Sequence, residues 1–353
     1  MCSPASPAES TPVGPEGGTD TEIGVAGEGF NSTADLDLSS GWEISMPTVP
    51  DPWADAPDTW MKRLNGSTLL TRLSIPGAHD AATSTASSLG KCQALSIAEL
   101  WDAGVRVFDL RPAFVDEELM IYHGIIATGQ KYKDIMNFLL QKLDEYPADF
   151  VVVIQRHESE GEKEGTTGWG AAMGTYVSSI SGSIAAYRST LTVNDLRGKM
   201  LLLSRDNYQG GPIGGYVKNI IDKASSLSDQ QAAWINAPVD KQQPLWCQDY
   251  YAPSNANDKW AKLEAMFEAT RTATVPYPLV MNNTSGYIPG AFGLVPNYVQ
   301  NAVNVNARAA EYIRAADFPV GIIMMDFAGA DTYDGSAVGG ATLVDAVIAN
   351  NFR

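Results

Sequence analysis

A series of short apolar runs that alternate with helical patterns constrains the fold more than any other feature. Several of these runs are continuous stretches of Val, Ile, Leu and Met, without the alternation of a strand that has one face in water. Continuous runs are typical of parallel strands that are buried on both faces. The candidate strands are Arg72–Ile75, Val105–Leu110, Leu119–Tyr122, Phe150–Gln155, Met200–Ser204, Pro244–Cys247, Pro278–Met281 and Val320–Asp326.

Helical patterns lie between most of these runs. Ser96-Ile-Ala-Glu99 has the spacing of a capping box and predicts the start of a helix. Further helices are predicted over Tyr132–Tyr146, Trp260–Thr270, Asn301–Ala316 and Leu343–Asn350. The alternation predicts an α/β fold, a distorted (β/α)₈ TIM-type barrel, with a doubly wound open sheet as the alternative. Leu119–Tyr122 follows the preceding strand too closely for an intervening helix, so we expect the barrel to be irregular there.

The first residues differ in composition from the rest of the chain. Residues 1–45 are rich in Pro, Ser, Gly, Thr and Glu, which predicts a disordered tail or tether. Residues 46–353 are then expected to form a single catalytic domain. The Met1-Cys2 start fits either a bacterial lipoprotein whose signal was replaced by Met1 or a cysteine without a role. Cys92 and Cys247 can pair only if the fold brings them together.

The charge balance limits the classes of partner. The formal net charge is −17, from 24 Lys+Arg and 41 Asp+Glu, which argues against a nucleic-acid binder. An anionic substrate would require a local cluster of cations. Cations and other polar residues do recur at or just past the predicted strand ends, where a (β/α)₈ barrel places its active site. They are His79, Arg111, His123, Arg156, Arg205, Asp249 and Asp326.

Two of the three histidines and one arginine have the chemistry for phosphodiester cleavage. Two imidazoles can divide acid and base duties near neutral pH, and a guanidinium can hold the phosphate. An imidazole base works best when a carboxylate orients it, and Asp80 and Asp326 are candidates for that role. We therefore predict attack on a phosphodiester by a hydroxyl group of the same molecule, with His79 and His123 as the acid–base pair and Arg111 on the phosphate.

The segments that carry these residues resemble a known family. Leu73–Asp80, Val105–Arg111 and Ile121–Gly124 resemble the X-box of bacterial phosphatidylinositol-specific phospholipase C. The resemblance continues downstream to the C-terminus. It includes Lys199-Met-Leu-Leu-Leu-Ser-Arg205, Gln248-Asp249-Tyr250-Tyr251 and Ile322-Ile-Met-Met-Asp326-Phe327. The resemblance implies a distorted (β/α)₈ barrel and release of diacylglycerol and inositol 1,2-cyclic phosphate from phosphatidylinositol.

The resemblance also implies a role for each matching residue. His79 resembles the general base for the inositol 2-hydroxyl, and Asp326 the carboxylate that orients it. Arg111 resembles the arginine that holds the phosphate. His123 resembles the general acid for the diacylglycerol oxygen, with Asp80 as its support. Arg205, Asp249 and Tyr251 resemble inositol contacts.

One inositol contact departs from the family pattern. Where the bacterial family has a lysine, the strand end reads Ile154-Gln-Arg156-His157-Glu158, so either Arg156 or His157 would stand in. Eukaryotic relatives hold calcium at an E-x-D strand end. Here Asp109-Leu-Arg111 occupies that place, and its arginine would repel a cation while binding phosphate directly. We therefore expect no metal and no cofactor.

The expected partner is a phospholipid or another inositol phosphodiester. We expect a monomer that is secreted or on the cell surface and that contacts the membrane only transiently. The loop Ser285–Tyr298 could place aromatic residues in the interface or pack on the barrel, and Tyr298 could stack on the inositol ring. The alternatives are a glycerophosphodiester phosphodiesterase, a non-catalytic inositol- or glycan-binding barrel, and a surface adhesin with the tail as its stalk.

Overall fold

A closed barrel of nine strands organises residues 57–289 and 296–353, which are the residues that the computed structural model describes. The predicted tail over residues 1–45, and Cys2 within it, lie outside the described residues. The strands are β1 (Ser74–Ala78), β2 (Val107–Leu110), β3 (Pro112–Val115), β4 (Glu118–His123), β5 (Ile126–Lys131), β6 (Val151–Gln155), β7 (Met200–Ser204), β8 (Gly215–Lys218), β9 (Ala233–Ala237), β10 (Lys241–Gln248), β11 (Leu279–Asn283), β12 (Ile288–Pro289), β13 (Pro296–Asn297), β14 (Gly321–Met325), β15 (Thr332–Tyr333) and β16 (Ser336–Ala337).

The α-helices of the same residues cover the outside of the barrel or lie between its strands. They are α1 (Ile97–Asp102), α2 (Tyr132–Glu145), α3 (Trp169–Ser179), α4 (Val193–Leu196), α5 (Leu227–Gln230), α6 (Ala256–Thr272), α7 (Tyr298–Ala315) and α8 (Gly340–Asn350). The predicted capping box starts α1, because the Ser96 side chain accepts a hydrogen bond from the Glu99 amide and Glu99 accepts one from the Ser96 amide.

The order of strands around the barrel confirms the predicted architecture and its distortion. The order is β1-β14-β11-β10-β9-β8-β7-β6-β2, and β2 pairs with β1 to close it. Neighbouring strands are parallel except where β9 pairs with β8 and β10. One antiparallel strand is thus inserted into a ring of eight parallel ones.

Two strand predictions need correction. The predicted strand Leu119–Tyr122 exists as β4, but it lies outside the barrel in a three-stranded antiparallel sheet with β3 and β5. Conversely, β8 and β9 complete the barrel and were not predicted. Both are short and alternate between buried and more exposed residues, so they lack the continuous apolar character of the other barrel strands.

A buried ion pair fixes β2 to the base of β6. Arg106 is fully buried, and its Nε and Nη2 donate to Asp149 Oδ2 at 2.9 and 2.8 Å. The same guanidinium lies 3.8 Å from the centre of the Trp101 ring and donates to the carbonyl oxygens of Trp101 and Val105. Because every polar contact is made inside the protein, loss of either partner would leave a buried charge unpaired.

The two buried cysteines do not form a disulfide: Cys92 and Cys247 are each free thiols. Among the described helices, none has both the length and the apolar character that a bilayer span requires.

Candidate active site

The carboxyl ends of the barrel strands gather most of the predicted site residues at one mouth. Each of six predicted residues is the first residue after a barrel strand. They are His79 after β1, Arg111 after β2, Arg156 after β6, Arg205 after β7, Asp249 after β10 and Asp326 after β14. Parallel strands end at the same edge of the sheet, so this placement directs six polar side chains toward the same opening.

His123 reaches the mouth by a different route. It is the last residue of β4, so it does end a strand, but that strand belongs to the three-stranded sheet and not to the barrel. The sheet begins at Pro112, immediately after Arg111, and folds across the mouth. The barrel therefore supplies His79 and Arg111, and the adjoining sheet supplies His123.

The carboxylate of Asp80 links these three residues. Its Oδ2 lies 3.3 Å from His79 Nε2 and 3.5 Å from His123 Nε2, and its Oδ1 lies 2.9 Å from Arg111 Nε. The Asp80 backbone has φ 42°, and its amide donates to Asp109 Oδ2 at 3.1 Å. A left-handed conformation at a non-glycine residue is uncommon and often occurs at functional sites. It lets one buried carboxylate face both imidazoles.

Asp326 and Arg111 fix the ring of His79. Asp326 Oδ1 lies 2.8 Å from His79 Nδ1, and Asp326 Oδ2 accepts a hydrogen bond from the Gly286 amide at 3.0 Å. On the other side of the ring, Arg111 Nη2 lies 2.8 Å from His79 Nε2. Because a guanidinium can only donate, Nε2 must carry the lone pair and Nδ1 must donate to Asp326. This is the tautomer that a general base at Nε2 requires.

The same carboxylates favour the charged form of His79. Burial disfavours the imidazolium, but attraction by Asp80 and Asp326 outweighs it and raises the pKa of His79 to about 9. The contact with Arg111 describes the neutral ring, because an imidazolium has no lone pair for the guanidinium and would repel it. The two states differ by one proton, and the neutral one is the state that can accept a proton from a substrate.

Arg111 lies among acidic groups. Its Nη2 and Nε donate to Asp109 Oδ2 at 2.8 and 3.1 Å, and its Nη1 is 4.0 Å from Glu158 Oε2. Burial opposes ionisation of Asp109, but Arg111 outweighs this effect and lowers the pKa of that carboxyl to about 2. Burial raises the pKa of Glu158 to about 7. The guanidinium is thus held in place by Asp80 and Asp109, with a third carboxyl group, Glu158, that can be neutral near pH 7.

His123 is held more loosely. Its Nδ1 donates to the Gly90 carbonyl at 2.9 Å, whereas its Nε2 faces Asp80 and lies 3.4 Å from the Tyr298 hydroxyl. The Tyr298 ring packs against the imidazole with 5.7 Å between the ring centres. Behind the ring, the sulfur of Cys92 lies 3.9 Å from Nδ1.

The histidines and Arg111 open onto a cavity of about 230 Å³. Its other lining side chains are Arg156, Glu158, Asp222, Asp249, Tyr251, Tyr287 and Tyr298. Arg205 is not one of the lining residues but contacts two of them: its Nη2 is 3.1 Å from Asp222 and its Nη1 is 3.8 Å from Asp249. A small cavity that combines charged groups with aromatic rings suits a polyol whose hydroxyl groups need both donors and acceptors.

The structure separates the two alternatives at the end of β6. Arg156 lines the cavity, whereas His157 points elsewhere: its ring stacks on Trp169 and its Nε2 lies 2.7 Å from Glu162. Two lining side chains, Glu158 and Asp222, were not singled out from the sequence. Glu158 had a detectable signal, because it follows a strand end two residues after Arg156. Asp222 had none, because it lies in a connection without a regular pattern. Tyr287 lies in the predicted contact loop Ser285–Tyr298, and the structure places it in the lining of the cavity.

Metal-binding capacity within the described residues is confined to this same cluster. Three sets of donor atoms lie within 4.8 Å of one another: His79, Cys92 and Asp326; Asp80, Cys92 and His123; and His79, Asp80 and Asp109. The third set already surrounds Arg111, whose positive charge opposes a cation there.

Comparisons with known proteins agree with this description. No family model matches the chain. Two curated relatives are named 1-phosphatidylinositol phosphodiesterase. The one from Staphylococcus aureus strain NCTC 8325 is 26% identical over 137 residues, which are 37% of this chain and 42% of the relative. The one from Listeria monocytogenes is 26% identical over 157 residues, 42% of this chain and 49% of the relative. The matches thus span less than half the length of these relatives.

The structural likeness is more extensive. The phosphatidylinositol-specific phospholipase C of Staphylococcus aureus, in a form carrying pentafluoro-Phe, superposes with a TM-score of 0.68 at 19% identity, over 83% of this chain and 98% of that one. The Listeria monocytogenes enzyme gives a TM-score of 0.62 at 20% identity, over 84% and 98%. The chain has the fold of the bacterial phosphatidylinositol-specific phospholipases C. The resemblance predicted from the sequence is therefore confirmed in its fold and in the sequence matches.

Proposed function

We propose that the chain is a phosphatidylinositol-specific phospholipase C-like enzyme that cleaves the glycerol–phosphate bond of phosphatidylinositol or a glycosylated form of it. The inositol 2-hydroxyl would attack phosphorus in line, releasing diacylglycerol and inositol 1,2-cyclic phosphate, with slow later opening of the ring. One observation carries the proposal: His79, His123 and Arg111 all contact the carboxylate of Asp80.

His79 acts as the general base in this proposal. The 2-hydroxyl would give its proton to His79 Nε2 as its oxygen bonds to phosphorus. Before that step, Arg111 Nη2 must leave Nε2, which it contacts at 2.8 Å in the free protein. Asp326 would then stabilise the imidazolium through its contact at Nδ1, which general-base catalysis requires.

Arg111 and His123 act on the other two centres. Once released from His79, the guanidinium would donate to a phosphoryl oxygen while its contacts with Asp109 keep its orientation. As the bond from phosphorus to the glycerol oxygen breaks, His123 Nε2 would donate a proton to that oxygen. Because Nδ1 donates to the Gly90 carbonyl, the donor at Nε2 is the imidazolium, which Asp80 Oδ2 would attract from 3.5 Å.

The far part of the cavity would bind the inositol ring. Arg156 and Asp249 offer donors and acceptors, Arg205 would reach the ring from beside Asp249, and Tyr251 and Tyr298 offer ring faces. The names of the curated relatives and the shared fold support this substrate class.

We further propose that the protein acts as a secreted or cell-surface monomer and meets the membrane only transiently. Membrane binding is a property of the Staphylococcus aureus relative. The net charge of −17 argues against nucleic acid as a partner and against docking on anionic lipid through a basic patch, so a phosphate group would be recognised only by the local cations of the site. The predicted contact loop, Ser285–Tyr298, is described only in part: Ser285 is buried, Tyr287 and Tyr298 line the cavity, and residues 290–295 lie outside the described residues.

Phosphorus NMR of the products tests the proposal. Phosphatidylinositol vesicles with the protein and excess EDTA should give the signal of a five-membered cyclic phosphate. His79→Ala and His123→Ala should each reduce turnover by about 10²–10⁴-fold, because each removes one proton-transfer group. Phosphatidylcholine, which has no hydroxyl placed for attack, should give no cyclic product.

The same experiment separates the rival enzyme. A glycerophosphodiesterase would release glycerol phosphate without a cyclic intermediate and would stop when its metal is chelated. Full turnover in either histidine variant would remove that residue from the mechanism, and loss of activity on chelation, restored by calcium, would refute the metal-independent reaction.

A further inference from the structure

We propose that Cys92, His123 and Asp80 form a binding site for a soft divalent cation such as Zn²⁺, and that an ion bound there blocks the active site. The binding site follows from the donor atoms alone. Only the inhibition rests on the proposed function.

The donor set suits tetrahedral zinc. Thiolate, imidazole and carboxylate are the ligands that zinc uses, and three protein ligands with one water is a common arrangement. The typical Zn–S and Zn–N bond lengths place a sulfur and a nitrogen about 3.6 Å apart across such an ion. Cys92 Sγ lies 3.9 Å from His123 Nδ1, and Asp80 Oδ2 lies 3.5 Å from the other ring nitrogen, Nε2. One donor atom of each residue lies within 4.8 Å of the others. Closure of the site around an ion therefore requires the His123 ring to turn so that one nitrogen meets both partners.

The bonding of each residue points to this set rather than to the neighbouring one. His79 and Asp326 are bound to each other at 2.8 Å, and their remaining polar atoms contact Arg111 and the Gly286 amide. Asp80 is 3% exposed, and its Oδ1 contacts Arg111 at 2.9 Å. Its Oδ2, by contrast, has no hydrogen-bond partner in the described protein, although Nε2 of His79 lies 3.3 Å away. That oxygen faces the loosely held imidazole of His123. An unsatisfied buried carboxylate oxygen is costly unless something binds it.

The charge around the site attracts a cation, and the sulfur selects which one. Asp80, Asp109 and Asp326 lie within this cluster, against the positive charges of Arg111 and, at neutral pH, of His79, whose pKa is about 9. Thiolate ligands favour Zn²⁺ over Ca²⁺ and Mg²⁺, which prefer oxygen. Zn²⁺ should therefore bind, and the two hard cations should not.

Binding would remove two groups from catalysis. The Cys92 thiol would lose its proton to solvent as sulfur binds the ion, and the His123 ring would give up its hydrogen bond to the Gly90 carbonyl as one of its nitrogens binds the metal. With Asp80 also on the metal, His123 would no longer have the carboxylate that positions its proton. An ion at this place would also narrow the cavity next to Tyr298, which contacts the same imidazole.

The experiment uses Co²⁺ as a spectroscopic substitute and Zn²⁺ as the inhibitor. Co²⁺ bound to a thiolate gives a sulfur-to-cobalt absorption band in the near ultraviolet, whether or not the protein is an active enzyme. Cys247→Ser is the matched control, because Cys247 is an equally buried free thiol whose sulfur contacts the Asn283 amide and no imidazole. The protein and the Cys247→Ser variant should show the band, and Cys92→Ser should not.

In the phosphatidylinositol assay, Cys92→Ser should raise the Zn²⁺ concentration needed for half inhibition by at least about tenfold. Loss of a residue that only orients a metal ligand already lowers metal affinity by about 10–100-fold, and loss of the ligand itself should lower it at least as much. Ca²⁺ and Mg²⁺ should not inhibit any of the three proteins. If Cys92→Ser does not fold, His123→Ala replaces it in the cobalt measurement and should abolish or strongly weaken the band.

The outcomes of these measurements test the metal site separately from the proposed phospholipase C activity. A cobalt–thiolate band that depends on Cys92, in a protein without activity on phosphatidylinositol, would support the site and refute the proposed function. Absence of the band from the unmodified protein, or a band that survives Cys92→Ser, would refute the site. Equal inhibition of all three proteins by Zn²⁺ would place the inhibitory ion elsewhere and would also refute it.

Discussion

The contact between Asp326 and His79 leads to a quantitative prediction about Asp326→Asn. The two side chains meet at 2.8 Å, Asp326 is 1% exposed, and its charge helps to raise the pKa of His79 to about 9. A buried hydrogen bond to a charged group contributes about 1.5–3 kcal/mol. Since 1.36 kcal/mol corresponds to one pKa unit, removing the charge should lower the pKa of His79 by roughly 1–2.

The effect on rate should therefore depend on pH. A general base must be neutral, so kcat/KM should rise as the pH rises through the pKa of His79 in the free protein. In the variant this rise should occur roughly 1–2 pH units lower. At pH 9.5 the variant should be roughly 10–150-fold slower, because the imidazolium formed in the transition state loses the same stabilisation. At pH 7 the loss should be much smaller, because a larger fraction of the variant's His79 is neutral.

The measurement is kcat/KM on phosphatidylinositol from pH 5.5 to 9.5, with Asp116→Asn at the exposed Asp116 as the control for the same substitution. A rise at the same pH in the variant and the unmodified protein would refute the reasoning. So would a loss by the same factor at every pH, because it would mean that Asp326 does not set the pKa of the base.

Two further predictions concern the headgroup site and the core. Arg156→Ala should raise KM for phosphatidylinositol several-fold more than His157→Ala, because Arg156 lines the cavity and His157 stacks on Trp169. Equal effects of the two substitutions would contradict the assignment of Arg156 as the headgroup contact. Asp149→Ala should lower the free energy of unfolding, measured by urea titration, by about 3–5 kcal/mol, because the fully buried Arg106 would lose the carboxylate that it contacts at 2.8 Å. A loss below about 1 kcal/mol would show that water or a movement of the side chain compensates the buried charge.

Barrel strands that are buried on both faces could be predicted from the sequence, because burial on both faces produces unbroken apolar runs. β6, β7 and β14 are of this kind. β8 and β9 could not, because a strand with alternating burial and only four or five residues has no distinctive pattern. β4 was assigned to the barrel because its composition does not reveal which strand it pairs with.

The same reasoning explains what could be predicted of the site. Residues directly after parallel strands converge by the geometry of the barrel, so His79, Arg111 and Asp326 could be placed together from strand positions alone. The location of His123 depends on how a separate antiparallel sheet folds over the mouth, which local patterns do not specify. Cys92 lies behind His123 only because a connection without regular structure returns there, and its spacing from other residues carried no such signal.

The connection between the barrel and the three-stranded sheet consists of one residue. β2 ends at Leu110 and β3 begins at Pro112, so Arg111 alone joins them. Arg111, the residue proposed to hold the phosphate, is thus also the link between the barrel that carries His79 and the sheet that carries His123. A ligand bound by Arg111 would therefore fix the point at which the sheet leaves the barrel, and ligand binding would help to align the proposed acid with the proposed base.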